Sequence, residues 1–105
     1  MPRGYDIDGV ITEGCVPRDK SDVIITGRSY EEAMVTYNML RRKGIFNAVY
    51  LNPVDFDSKT IENSGEWKGK MAKLLGVTTF YEDDPRQAEI IKSYGIQTVL
   101  VTKWT

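Results

Sequence analysis

Short apolar runs, each closed by a glycine or a knot of carboxylates, alternate along the chain with stretches of helical periodicity. Asp22-Val23-Ile24-Ile25-Thr26-Gly27 reads as a strand stopped by a glycine. Ser29 follows as an N-cap with Glu31 and Glu32 in the first turn, where carboxylates suit the positive end of a helix dipole. Ala33, Met34, Tyr37 and Leu40 or Arg41 then recur at helical spacing up to Gly44, predicting a helix over 30–43 with those residues on its apolar face. A β-rich run predicts a strand over 45–51, broken by Asn52-Pro53, and the polar stretch through Ser64 reads as a surface loop. A helix over 65–76 follows, with Trp67, Met71, Leu74 and Leu75 inward and Gly76 as its stop. A strand over 77–81, a helix over 85–94 ended by Gly95 and a last strand over 97–102 complete the pattern. Strands alternating with helices predict a three-layer α/β/α sandwich on a mostly parallel, Rossmann-like sheet of about five strands.

The first stretch fits that pattern least well. A strand ending at Asp6 would carry Arg3, Gly4 and Tyr5 where a buried central strand wants apolar residues. It runs into Tyr5-Asp6-Ile7-Asp8-Gly9-Val10, two carboxylates one residue apart followed by a glycine. Two such carboxylates leave the end of a strand on roughly one side and repel unless a cation, a proton or a basic side chain lies between them. The same residue types also occur in an ordinary turn, and a calcium loop would need further ligands where Ile11 and Cys15 stand. Residues 11–21, with Gly14 and Pro17, read as a loop or small hairpin.

Three loops thus share a location. Asp6 and Asp8, Thr26-Gly27-Arg28, and Glu82-Asp83-Asp84 each follow a predicted strand, and parallel strands end at one edge of their sheet, where such folds bind ligands. Asp84-Pro85 also has the form of a helix N-cap followed by proline at the first helical position. An oxygen-rich site without His or thiolate suits a hard cation, and one needing few carboxylates besides water and phosphate oxygens suits Mg2+. An aspartate there can attack phosphorus if a metal and a lysine neutralise the phosphate, with a second carboxylate moving the proton.

Composition narrows the chemistry further. The chain has 105 residues, enough for one domain, and a net charge of −1 gives no field that would recruit nucleic acid or an anionic membrane. The absence of His excludes Ser-His and Cys-His pairs, and the single Cys15 excludes an internal disulfide and reads as a small, partly buried apolar residue. No apolar run approaches a membrane span and the first residues lack a signal-peptide core, so a cytoplasmic protein is expected.

The chain resembles the haloacid dehalogenase-like (HAD) superfamily of phosphohydrolases. The likeness rests on four motifs in order: Asp6-Ile7-Asp8-Gly9-Val10, Val23-Ile24-Ile25-Thr26-Gly27-Arg28-Ser29, a lysine, and the acidic cluster of Phe80-Tyr81-Glu82-Asp83-Asp84. The resemblance implies Asp6 as nucleophile, Asp8 as general acid/base and Thr26 as a phosphate donor. It implies Mg2+ held by Asp6, the Asp8 backbone carbonyl and Asp83, supported by Asp84 or Glu82. Lys68, beside Trp67, is the expected lysine, with Lys70 as alternate. Gly27, Arg28 and Lys70 are expected on the substrate, although Arg28 also fits a surface role and an unused lysine fits a solvated helix face. Neither segment between the motifs has room for a cap domain, so residues 1–105 form a single uncapped unit. An uncapped site is associated with a phosphorylated small molecule, a nucleic-acid end or a phosphoprotein, or with a homo-oligomer whose neighbours supply the lid. A faint likeness of Thr-Gly-Arg and Glu-Asp-Asp to polynucleotide phosphatases points to a nucleotide or polynucleotide phosphate. The alternative class is a catalytically inactive HAD-like binding module, favoured by the poor first strand. A receiver-like phosphoacceptor would need an acceptor Asp after Tyr50-Leu51, where Asn52-Pro53 stands instead.

Overall fold

The computed structural model describes residues 2–102, so the outermost positions of the expected 1–105 unit lie outside the described residues. Five strands, β1 (Arg3–Tyr5), β2 (Val23–Ser29), β3 (Val49–Asn52), β4 (Thr79–Glu82) and β5 (Gln97–Leu100), form one sheet in the order β3-β2-β1-β4-β5. Every pairing is parallel. Three helices, α1 (Ala33–Arg42), α2 (Ile61–Leu74) and α3 (Pro85–Ser93), cover it. The alternation along β2 shows how the layers arise. Ile24 joins a core with Tyr5, Ile7, Ile11 and Leu40 on the α1 face, whereas its neighbour Ile25 joins Ala72, Phe80 and Ile91 on the α2–α3 face. The architecture is the three-layer α/β/α sandwich.

The order of strands matters for function. From β1 the chain moves outward through β2 and β3, then returns to β4 on the other side of β1, so the order reverses between β1 and β4. Loops leaving two such strands diverge and open a crevice at their carboxyl ends.

The poor composition of β1 has a physical cause. It is only three residues long, and a Cβ on Gly4 would stand 2.5 Å from Cδ2 of Phe80, a fully buried ring. Tyr5 stacks on Tyr81 across the strand pair, with ring centroids 4.8 Å apart. Gly4→Ala is therefore expected to cost about 2 kcal/mol by overpacking, read as a lower urea midpoint at unchanged m-value. An unchanged midpoint would show that Phe80 can move aside.

Several boundaries differ from those read in the sequence. The strand expected over 45–51 is confined to β3, because the chain leaving α1 closes with Ile45 N–H on the Leu40 carbonyl and Gly44 N–H on the Arg41 carbonyl. Gly44, at φ 74°, permits that closure, and Ile45 enters the core from a loop. Residues 61–64 belong to α2 and not to a loop. Thr60 and Asn63 form a reciprocal cap, and Asn at the third position in place of Glu or Gln hid it. The helix-like turn before α1 is a 3-10 segment, Tyr30–Glu32, and residues 11–13 form another in place of a hairpin.

Two apolar faces hold only in part: Leu40 on α1 is buried and Trp67, Met71 and Leu75 on α2 pack against the core, but Met34, Tyr37 and Leu74 do not. On α1 the buried residues are Thr36 and Leu40, while Met34 is 77% exposed and Tyr37 is also exposed. On α2 the buried side carries Ser64, Gly65, Lys68, Gly69 and Ala72, while Leu74 is 79% exposed. Gly65 and Gly69 let α3 approach, since a Cβ on Gly69 would meet the Tyr94 ring at 2.3 Å. Trp67, Met71 and Leu75 pack at the edge of that core. Among the described residues no helix is long and apolar enough to cross a membrane.

Candidate active site at the carboxyl edge of the sheet

Asp6 follows the last residue of β1 and its N–H donates to the Tyr81 carbonyl, so its position is tied to β4. Glu82 ends β4, and Asp83 and Asp84 continue from it. Opposite them Lys68 enters from α2. Its Nζ lies 2.8 Å from Glu82 Oε1, 3.2 Å from Asp6 Oδ1 and 2.6 Å from Gln87 Oε1. The contacts with Glu82 and Gln87 are hydrogen bonds and that with Asp6 is an ion pair. Asp6, Glu82 and Lys68 are all buried.

Two buried carboxyls facing one ammonium are under-neutralised, which raises the pKa of both. Burial pushes Glu82 up to about 8, and the neighbouring Asp6 charge adds to that. Burial raises Asp6 as well, against the pull of Lys68. Burial opposes the charge on Lys68, yet Asp6 and Glu82 together hold its pKa above the ordinary value. The site thus lacks positive charge near neutral pH, a deficit that either a proton or a cation can make up.

Carboxylate oxygens of Asp6, Glu82 and Asp83 lie within 4.8 Å of one another. An all-oxygen set of this kind fits a hard divalent cation. Gly9 permits the third member to come so near: at φ 82°, a Cβ there would overlap Asp83 Oδ2. The glycine of Asp-X-Asp-Gly therefore has a steric role.

The other predicted residues are distributed as follows. Asp8 is exposed and held by Arg28 through two hydrogen bonds, Nε to Oδ2 at 3.0 Å and a second guanidinium N–H to Oδ1 at 2.8 Å. Those bonds keep its carboxyl below the usual range. Arg28 is fixed in turn by donating to Thr36 Oγ1 at 3.1 Å, which accounts for the buried threonine on α1. Thr26 is fully buried, accepts the Arg28 N–H at 3.0 Å and does not line the cavity. Asp84 Oδ1 accepts the N–H groups of Arg86 and Gln87 and so caps α3, the role its Asp-Pro context foretells. Lys70 is exposed on α2 and outside the cavity, whereas Lys68 is at its centre. Gly27 lines the cavity beside Ser64.

The cavity has a volume of about 460 Å³, within the usual size for small ligands, and no apolar side chain lines it. Six carboxyl groups, from Asp6, Asp8, Glu32, Glu82, Asp83 and Asp84, face three cations, Arg28, Lys59 and Lys68. Glu32, Lys59, Ser64 and Gln87 were not singled out from the sequence. Ser64 and Lys68 share a face of α2 by their four-residue spacing, and Gln87 sits in the capped first turn of α3, so both were signalled by pattern. Lys59 was not. It reaches Glu32 from a loop, at 2.8 Å, and Glu32 also accepts the Ser29 N–H. Comparison of the chain with protein-family models, curated proteins and solved structures found no match.

Proposed function

We propose that the chain is an uncapped HAD-like, Mg2+-dependent phosphomonoester hydrolase working through an aspartyl-phosphate on Asp6. The observation that carries this reading is the buried Asp6–Lys68–Glu82 cluster, joined by Asp83, at the point where the strand order reverses. Asp6, Glu82 and Asp83 would hold the cation, which when bound would supply Lewis-acid neutralisation of phosphate charge. A carboxylate oxygen of Asp6 attacks phosphorus, the bond from phosphorus to the ester oxygen breaks, and that oxygen takes a proton from Asp8. Water then gives a proton back to Asp8 as it attacks the acyl phosphate, releasing inorganic phosphate and restoring Asp6. Lys68 fixes the orientation of Asp6 throughout. A phosphate that engages Arg28 would compete with Asp8 for it and so release Asp8 for proton transfer.

The wholly polar lining favours recognition of a phosphate and its nearest hydroxyls, since no aromatic face is offered for a base to stack on. A nucleotide or the end of a polynucleotide fits if its base stays outside the cavity. The test is phosphate release from phosphomonoesters, nucleotides and 3′- or 5′-phosphorylated oligonucleotides, with Mg2+ and with chelator. Turnover that needs Mg2+ supports the reading. A folded, Mg2+-binding protein inert on the whole panel would favour the second reading, a non-catalytic HAD-like binding module. The bidentate grip of Arg28 on Asp8 favours that alternative, because it keeps the acid/base carboxyl charged and occupied.

A further inference from the structure

Ser64 is 7% exposed, lines the cavity and stands four residues before Lys68 on the same face of α2. Its hydroxyl makes no hydrogen bond with any described residue. The residue is nearly buried, yet its Oγ is not sealed from solvent: it opens on the cavity with its donor unused by the protein. It abuts Gly27, where an added Cβ would lie 3.0 Å from Ser64 Oγ, so the strand end leaves the hydroxyl open to the cavity. Gln87 is the companion feature. Its Oε1 accepts from Lys68, which turns the amide NH2 away from the ammonium group, and that NH2 has no acceptor among the described residues.

The more obvious phosphate donors are occupied. The Lys68 ammonium is hydrogen-bonded to Glu82 and Gln87 and ion-paired with Asp6, and the Thr26 hydroxyl is buried away from the cavity. We propose that the Ser64 hydroxyl, with the Gln87 amide beside it, is the neutral donor pair that holds an oxygen of a tetrahedral oxyanion in this cavity. The inference deepens the hydrolase reading and rests on it for the identity of the anion, a phosphoryl group. Because six carboxyls outnumber three cations there, an anion alone is repelled, and binding is expected only with a divalent cation present.

The experiment is a calorimetric titration of inorganic phosphate into the full chain with Mg2+, for wild type and Ser64→Ala, with Mg2+ affinity measured separately. Alanine keeps the helix and the contact with Gly27, so a packing role alone leaves phosphate affinity unchanged. The expected result is phosphate binding weakened about tenfold at unchanged Mg2+ affinity, with a matching rise in KM on any hydrolysed ester. Equal phosphate affinity in the two proteins, or none in wild type with Mg2+, overturns the proposal. Weakened phosphate binding by Ser64→Ala in a protein that hydrolyses no ester would uphold Ser64 and sink the hydrolase reading. Normal turnover with Ser64→Ala indistinguishable from wild type would do the reverse.

Discussion

Asp6→Asn is expected to lower Mg2+-dependent phosphate release by at least about a thousandfold, because an amide oxygen is too weak a nucleophile to displace an alkoxide from phosphorus. The same substitution is expected to leave the fold intact and to raise its thermal midpoint in chelator. Removing one of the two carboxyls that face Lys68 relieves the charge deficit and lets Glu82 pair with the ammonium alone, at 2.8 Å. Loss of activity with a midpoint equal to or above that of wild type separates chemistry from unfolding. Activity within tenfold of wild type in the folded variant would remove Asp6 from the role of nucleophile.

Opposed effects of that kind are expected where residues are set by a site and not by packing, and the same division separates what was legible in the sequence from what was not. The strand-end loops were readable, because Asp-Ile-Asp-Gly, Thr-Gly-Arg and Glu-Asp-Asp are polar groups placed where an apolar run stops. The sheet therefore followed from alternation alone. Helix faces were harder. On α2 the buried stripe holds Ser64, Lys68 and two glycines, chosen for the site and for close approach to α3, so hydrophobic periodicity pointed toward Leu74 instead. On α1 the buried Thr36 serves Arg28. Asp83 and Asp84 could not be ranked from their order in the chain. The cap geometry of α3 assigns Asp84 to backbone amides and leaves Asp83, with the buried Glu82, near Asp6. Lys59 reaches Glu32 through a turn that no local pattern encodes.

The second large effect concerns proton and metal. In chelator, stability is expected to fall as pH rises from about 5 to about 9, opposite to the rise that most carboxylates produce. Unfolded, Asp6 and Glu82 titrate near 4, whereas in the folded protein Asp6 is raised and Glu82 is pushed up to about 8. Between those values the folded chain binds more protons than the unfolded one. The contribution is therefore complete below the unfolded pKa and is lost as pH passes through the folded one. Groups shifted the other way, Asp8 by its Arg28 bonds and Glu32 by Lys59 and Ser29 against its own burial, act only as pH falls below about 4.5. Lys68, raised by its two carboxyls, stays charged across the window. A shift the size of that on Glu82 is on the order of a few kcal/mol, or a thermal midpoint lower by about 20 °C at pH 9 than at pH 5. Mg2+ competes with the proton for the same oxygens, so saturating Mg2+ is expected to restore most of the loss at high pH and little at pH 5. Glu82→Gln should flatten the pH slope and blunt the Mg2+ response together. Thermal melts across that pH range, in chelator and in Mg2+, decide the matter. A midpoint that rises with pH in chelator, or an equal Mg2+ effect at both ends, would mean that the two carboxyls facing Lys68 do not hold a proton that a cation replaces.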